Sequence, residues 1–233
     1  MIVTPDIELL PADGPIRQLF ILLHEAGDTP AAMMALAQAL RAAFPQAALR
    51  IPAGSQPAGS GADGRQWYAR AGVDDGNRAQ HVARALPALV QYVRASQTHF
   101  GLLQTDTALA GFGQGATLAL EAVSAHDGLA GRVLAFAGRY AELPQWAPLY
   151  TTIHLLHGAA DSVIPADHAR RAQARLATLH GDATIDVASR VGHSLHPALV
   201  DRAVVRLQTC VPLRSWEAAL GLNQAAPAGT ILH

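Results

Sequence analysis

Apolar residues in this chain fall into short bursts separated by longer amphipathic stretches. "RQLFILLH" (17–24), "AALRIP" (47–52), "TALAG" (107–111), "RVLAFAG" (132–138), "TTIHLLHG" (151–158) and "ATIDVAS" (183–189) are such bursts. Short apolar runs bounded by Gly, Pro and polar residues predict strands buried on both faces. Between them, apolar positions recur at helical spacing over 30–43, 77–97, 115–126, 166–180 and 197–209. In the second of these, Val82, Leu86, Leu89, Val90 and Val93 form the buried stripe, and Pro87 predicts a kink. Thr29 is suited to N-cap the first helix with Pro30 at its first position. Strands alternating with helices predict an α/β class: a mostly parallel central sheet flanked by helices. One domain is expected over 1–233, with its core at about 17–209 and a weakly patterned tail at 212–233. Residues 52–64, rich in Gly, Pro and Ser, read as a mobile surface loop inside that domain.

Composition narrows this further. Half of the 233 residues are hydrophobic and 15% are charged, which supports a sizeable core and excludes global disorder. The net charge is −1, and all 17 basic residues are arginines scattered along the chain. No concentrated basic face is expected, hence no nucleic-acid partner. A lone cysteine cannot form an internal disulfide and suits a reducing compartment. "MIVTPDIELLPADGP" has neither a basic start nor a long apolar run, and no uncharged apolar stretch reaches the roughly 20 residues of a membrane span. A cytoplasmic protein is expected; the pattern admits a homodimer.

Functional groups in parallel sheets gather just beyond the carboxyl ends of strands. There the chain places His24, Glu25, Ala26, Gly27 and Asp28; then Gly111-Phe112-Gly113-Gln114-Gly115; then Asp161; then His193. A turn between strand and helix, followed by an acid and a histidine, is the order of a Ser…Asp…His hydrolase with position 113 at the nucleophile elbow. In that chemistry the histidine takes the nucleophile's proton, the carboxylate fixes the histidine tautomer, and amides at the helix start stabilise the oxyanion. Gly111-x-Gly113-x-x-Ala116 also fits a dinucleotide-binding turn, with Arg139 near the next strand end available for a 2′-phosphate. That reading leaves Asp161, His193 and "HEAGD" without a role, and the turn is not in the first βαβ unit. "HE" at 24–25 lacks the second histidine of a zinc helix, so no metal is expected.

Taken together, "LLHEAGDTP", "GRQWY", "AGFGQGA", "AFAGRYAELP", "HLLHGAADSVIP" and "VGHSLHP" resemble the small carboxylesterase/phospholipase family that includes the acyl-protein thioesterases, in a bacterial branch. The resemblance spans roughly 17–209. It implies a single α/β-hydrolase domain acting on small acyl esters without a cofactor. It makes Asp161 the acid and His193 the base, the amides of Ala26 and Gln114 the oxyanion hole, Trp67 and Tyr68 the substrate side, and His24 a support for the oxyanion loop. Two positions depart from the family's pattern: Gly113 stands where it has serine, and Glu25 where it usually has glycine. The first removes the nucleophilic oxygen. The second brings a negative charge beside the oxyanion loop. The expected function is a carboxylesterase/phospholipase-like scaffold, inactive as a serine esterase. A non-catalytic protein holding a small ligand in the former acyl pocket is the alternative, and a dinucleotide-binding protein a more distant one. Two departures in one site favour natural divergence over an engineered knockout, for which alanine is the usual choice.

Overall fold

In a computed structural model, residues 5–59, 63–212 and Ser215 are described. The expected tail therefore lies outside the described residues, apart from Pro212 and Ser215. Strands β1 (Ile7–Leu9) and β2 (Gln18–Leu23) precede helix α1 (Met34–Ala43). Strand β3 (Ala47–Ile51) leads to a small hairpin of β4 (Gln56–Pro57) and β5 (Arg65–Gln66). Then follow α2 (Arg78–Phe100), β6 (Thr107–Phe112), α3 (Gln114–Ala125), β7 (Arg132–Phe136), β8 (Thr152–Gly158), α4 (Asp167–Thr178), β9 (Ala183–Ala188) and α5 (Pro197–Thr209). The main sheet has seven strands in the order β1-β3-β2-β6-β7-β8-β9. All neighbours pair in parallel except β1, which lies antiparallel on β3.

Strand periodicity divides the core in two. Leu19, Ile21 and Leu23 of β2 face one side with Val82, Leu86, Leu118 and Leu176, so α2, α3 and α4 cover that face. Phe20 and Leu22 face the other side with Leu36, Leu40, Leu199 and Val200 of α1 and α5. Because both faces are covered, the strands read as unbroken apolar runs rather than alternating ones.

The sequence-based expectations differ at a few ends. Pro30–Met33 is a 3-10 turn before α1, and Thr29 has extended backbone there but makes no side-chain capping bond. Helix α2 continues past Pro87 to Phe100 and stops at Gly101, whose φ of 66° is the left-handed cap. The stretch read as a loop at 52–64 contributes β4, which pairs with "RQ" of the "RQWY" segment. Strand β1 was not expected; its three residues are too short for a periodic signal, and pairing with β3 defines it.

Candidate active site

The turn at position 113 forms because β6 must pass directly into α3. Gly113 has φ 54° and ψ −110°, a conformation that L side chains rarely adopt, and its amide donates to Phe136 O at 3.0 Å. Two residues on, a Cβ on Gly115 would run into the Leu23 carbonyl of the neighbouring strand, so glycine there lets α3 start against β2. The start of α3 is thereby held over the carboxyl end of β2, where Glu25 lies.

Glu25 reaches into this turn. A Cβ built on Gly113 would fall on Glu25 Oε2. The carboxylate therefore occupies the space where any side chain at position 113 would begin. Its Oε2 accepts the Gln114 amide at 2.9 Å and its Oε1 accepts the Ala26 amide at 2.6 Å. These are the two amides that the family resemblance pairs as an oxyanion hole, and both converge on one carboxylate. The helix N-terminus adds positive potential to the same spot. The charge at Glu25 is thus accommodated by two N–H donors, where the sequence suggested only repulsion with a developing oxyanion.

His193 and Asp161 meet as expected. His193 Nδ1–H donates to Asp161 Oδ2 at 2.8 Å, and its Nε2 lies 3.4 Å from Glu25 Oε2. Phe112, next to the elbow, packs on the imidazole with ring centroids 4.8 Å apart. Asp161 is fully buried; its Oδ1 accepts the amides of Val163 and Ile164, both at 2.9 Å. His157, which carried no role in the sequence reading, supports the acid from behind. Its Nε2 donates to Ile164 O at 2.7 Å and lies 3.3 Å from Asp161 Oδ2. His154, three residues earlier, bonds Thr184 Oγ1 on β9. The loop carrying His193 ends where His196 caps α5, accepting the Ala198 amide at 3.2 Å.

Burial disfavours the charged form of His193, but hydrogen bonds to Glu25 and Asp161 and their negative charges outweigh it, and its pKa is raised. The ring of His193 thus lies between two carboxylates, which favour its protonated form. A raised histidine pKa contributes stability below the unfolded value of about 6.5, and that contribution is lost as pH rises through the folded pKa. Glu25→Gln should move the His193 pKa downward and flatten the loss of stability above neutral pH. An NMR titration of the imidazole nitrogens checks the first, and chemical denaturation across pH the second; an unmoved His193 pKa would sever the link to Glu25.

The remaining predicted residues hold the frame. His24 Nδ1–H donates to Glu25 O at 2.7 Å, and its Nε2 accepts the Gly54 amide at 3.0 Å. Burial lowers its pKa, in keeping with the neutral ring this pairing requires. Trp67 is buried, donates its indole N–H to His24 O at 2.9 Å and lies against the His24 ring, so it anchors the loop from behind the cavity. Tyr68 does line the cavity, and burial pushes its hydroxyl up to about 12. The Gln114 side chain, absent from the sequence reading, ties this loop to α3: Oε1 accepts the Trp67 amide at 2.8 Å and Nε2 donates to Tyr68 O at 3.0 Å. The cavity is about 430 Å³ and is bordered by Glu25, Ala26, Tyr68, Gln114, Val163 and His193, among others. Among the described residues no group of His, Cys, Asp and Glu is arranged to hold a metal ion, and no helix is long and apolar enough to cross a membrane.

A mostly parallel sheet with an elbow after β6, a carboxylate after β8 and a histidine after β9 defines an α/β-hydrolase. Over residues 6–211 the sequence matches the phospholipase/carboxylesterase family, and the chain belongs to it. It is 39% identical over 208 residues to esterase YpfH of Escherichia coli (strain K12), covering 89% of each chain. The crystal structure of esterase PE8 superposes with a TM-score of 0.79 at 25% identity, over 88% of this chain and 98% of that one. The fold also matches Zea mays acyl-protein thioesterase 2, with a TM-score of 0.66 at 17% identity over 88% of this chain and 97% of that one.

Proposed function

We propose that this protein is a small-acyl-ester hydrolase scaffold whose serine route is closed, and that the native chain binds a small ligand in the former acyl pocket. The position of the Glu25 carboxylate carries this reading. It fills the place of an elbow side chain and already bonds both amides that an oxyanion would use. Gly113 has no nucleophilic oxygen, and a tetrahedral intermediate would have to displace a carboxylate from donors it satisfies. The amide of Gln114 at the start of α3 is likewise taken by Glu25, so nothing here favours a dinucleotide phosphate.

The acid and base remain in contact, yet the second carboxylate at Glu25 raises the His193 pKa and so weakens its readiness to accept a nucleophile's proton. On short p-nitrophenyl esters the native chain should show no turnover above the buffer rate, and His193→Ala should leave that rate unchanged. Turnover that disappears in His193→Ala would overturn the reading. The two departures from the family's pattern form one change: with glycine at 113 there is room for Glu25, and with Glu25 present there is room only for glycine.

A further inference from the structure

Three arginines from different segments border the same cavity: Arg70 after β5, Arg78 at the start of α2, and Arg139 after β7. None bonds Glu25, Asp161 or His193, so the catalytic frame does not require them. Arg78 and Arg139 are mostly buried, with 22% and 17% of their side chains exposed. Both reach the same oxygen, Asp75 Oδ1, with Arg78 Nη2 at 3.3 Å and Arg139 Nη1 at 3.0 Å. Asp75 is itself 76% exposed. Two guanidinium groups thus share one solvent-screened carboxylate, leaving an uncompensated positive charge on the cavity wall.

Further observations agree. Arg78 Nε is sealed from solvent and has no hydrogen-bond partner. An orphaned donor of this kind is costly, more so on a charged group. Arg139 is disfavoured as a cation by burial and then by the charge of Arg78. His168, also on this wall, is held below its ordinary pKa by burial and then by Arg139 and Arg171. Arg78 and Arg139 on this wall share one carboxylate, and their planar forks match carboxylate and phosphate oxygens.

We propose that Arg78 and Arg139 form an anion subsite, so that the ligand of this pocket is a small molecule bearing a carboxylate or phosphate group. The anion supplies the charge that Asp75 alone does not, while the other end of the molecule faces Glu25 and His193. The proposal takes the cavity to be the ligand site argued above, but it is tested on the native chain without any ester hydrolysis.

Isothermal titration of the native protein with succinate and, separately, inorganic phosphate, in low-salt buffer at pH 7, reads the subsite. Low salt matters because screening weakens such contacts. At least one of the two should bind, and the tighter identifies the preferred anion. Arg139→Gln should weaken that binding at least about tenfold, consistent with loss of a charge-assisted bidentate contact. It removes one of two repelling cations, so its thermal midpoint should not fall. Arg41→Gln, an exposed site on α1 remote from the cavity lining, should change nothing. Absence of binding by both probes at 20-fold above the millimolar range, on the order of 20 mM, would overturn the proposal. So would binding that Arg139→Gln leaves intact. A failure here leaves the closed serine route standing, and a failure of the ester assays leaves this titration decisive for the arginines.

Discussion

Gly113→Ser combined with Glu25→Gly should raise hydrolysis of short p-nitrophenyl esters by about a thousandfold or more over the native chain, while Gly113→Ser alone should stay at background. The size follows from what a complete triad contributes, since losing the nucleophile of a serine hydrolase costs on the order of a million in kcat; the lower figure allows for imperfect positioning. The asymmetry between the two variants follows from the site. A Cβ on residue 113 lands on Glu25 Oε2. The single variant must therefore expel the carboxylate from the amides of Ala26 and Gln114 and from His193. It must also hold serine at φ 54°, a strain of about 1–3 kcal/mol. The double variant vacates both amides and returns His193 to a single carboxylate partner, free to act as a base. Equal activity of the two variants would show that Glu25 does not block the site. Inactivity of both would show that the acid–base pair and amides do not form a working hydrolase centre.

Asp161→Ala should destabilise the protein by about 3 kcal/mol, within the range for removing one partner of a buried charged network. Its fully buried carboxylate takes the Val163 and Ile164 amides on one oxygen and His193 on the other. Alanine leaves two amides and the His193 Nδ1–H unpaired at once. Asp167→Ala is the matched control, because Asp167 pairs with Arg171 in solvent, with 63% of its side chain exposed, and should change stability by less than about 0.5 kcal/mol. Urea denaturation at pH 7 on the three proteins checks both values. A cost under about 1 kcal/mol at Asp161 would contradict the network.

Much of the architecture was legible along the chain. Runs such as "LFILL" and "TIHLL" are apolar throughout because helices cover both sheet faces, and the helical crossovers that provide this coverage also run the strands parallel. The carboxyl ends of those strands then placed the elbow, Asp161 and His193 in one region, and the pair is in contact at 2.8 Å. The amides of Ala26 and Gln114, which the resemblance pairs, both point at Glu25, and His24 holds the loop that carries it. Less legible were features built from distant pairings. Strand β1 is defined by its partner, and β4 and β5 by each other. His157 looked like an ordinary strand residue until its ring met the Asp161 loop. The resemblance implies Trp67 on the substrate side, whereas its indole N–H and ring are both committed to His24.

By itself, then, the sequence determined the class of fold, the order of elbow, acid and histidine, and the absence of a side chain at Gly113. Those are properties of local pattern: apolar periodicity, turn chemistry and residue identity at strand ends. Only the tertiary structure decided where the Glu25 carboxylate goes and that Arg78 and Arg139 share one aspartate. A side chain's endpoint depends on donors, charges and free volume supplied by segments far away in the chain. At Glu25 the free volume is the missing Cβ of Gly113, the donors are two amides from separate segments, and the facing ring is His193.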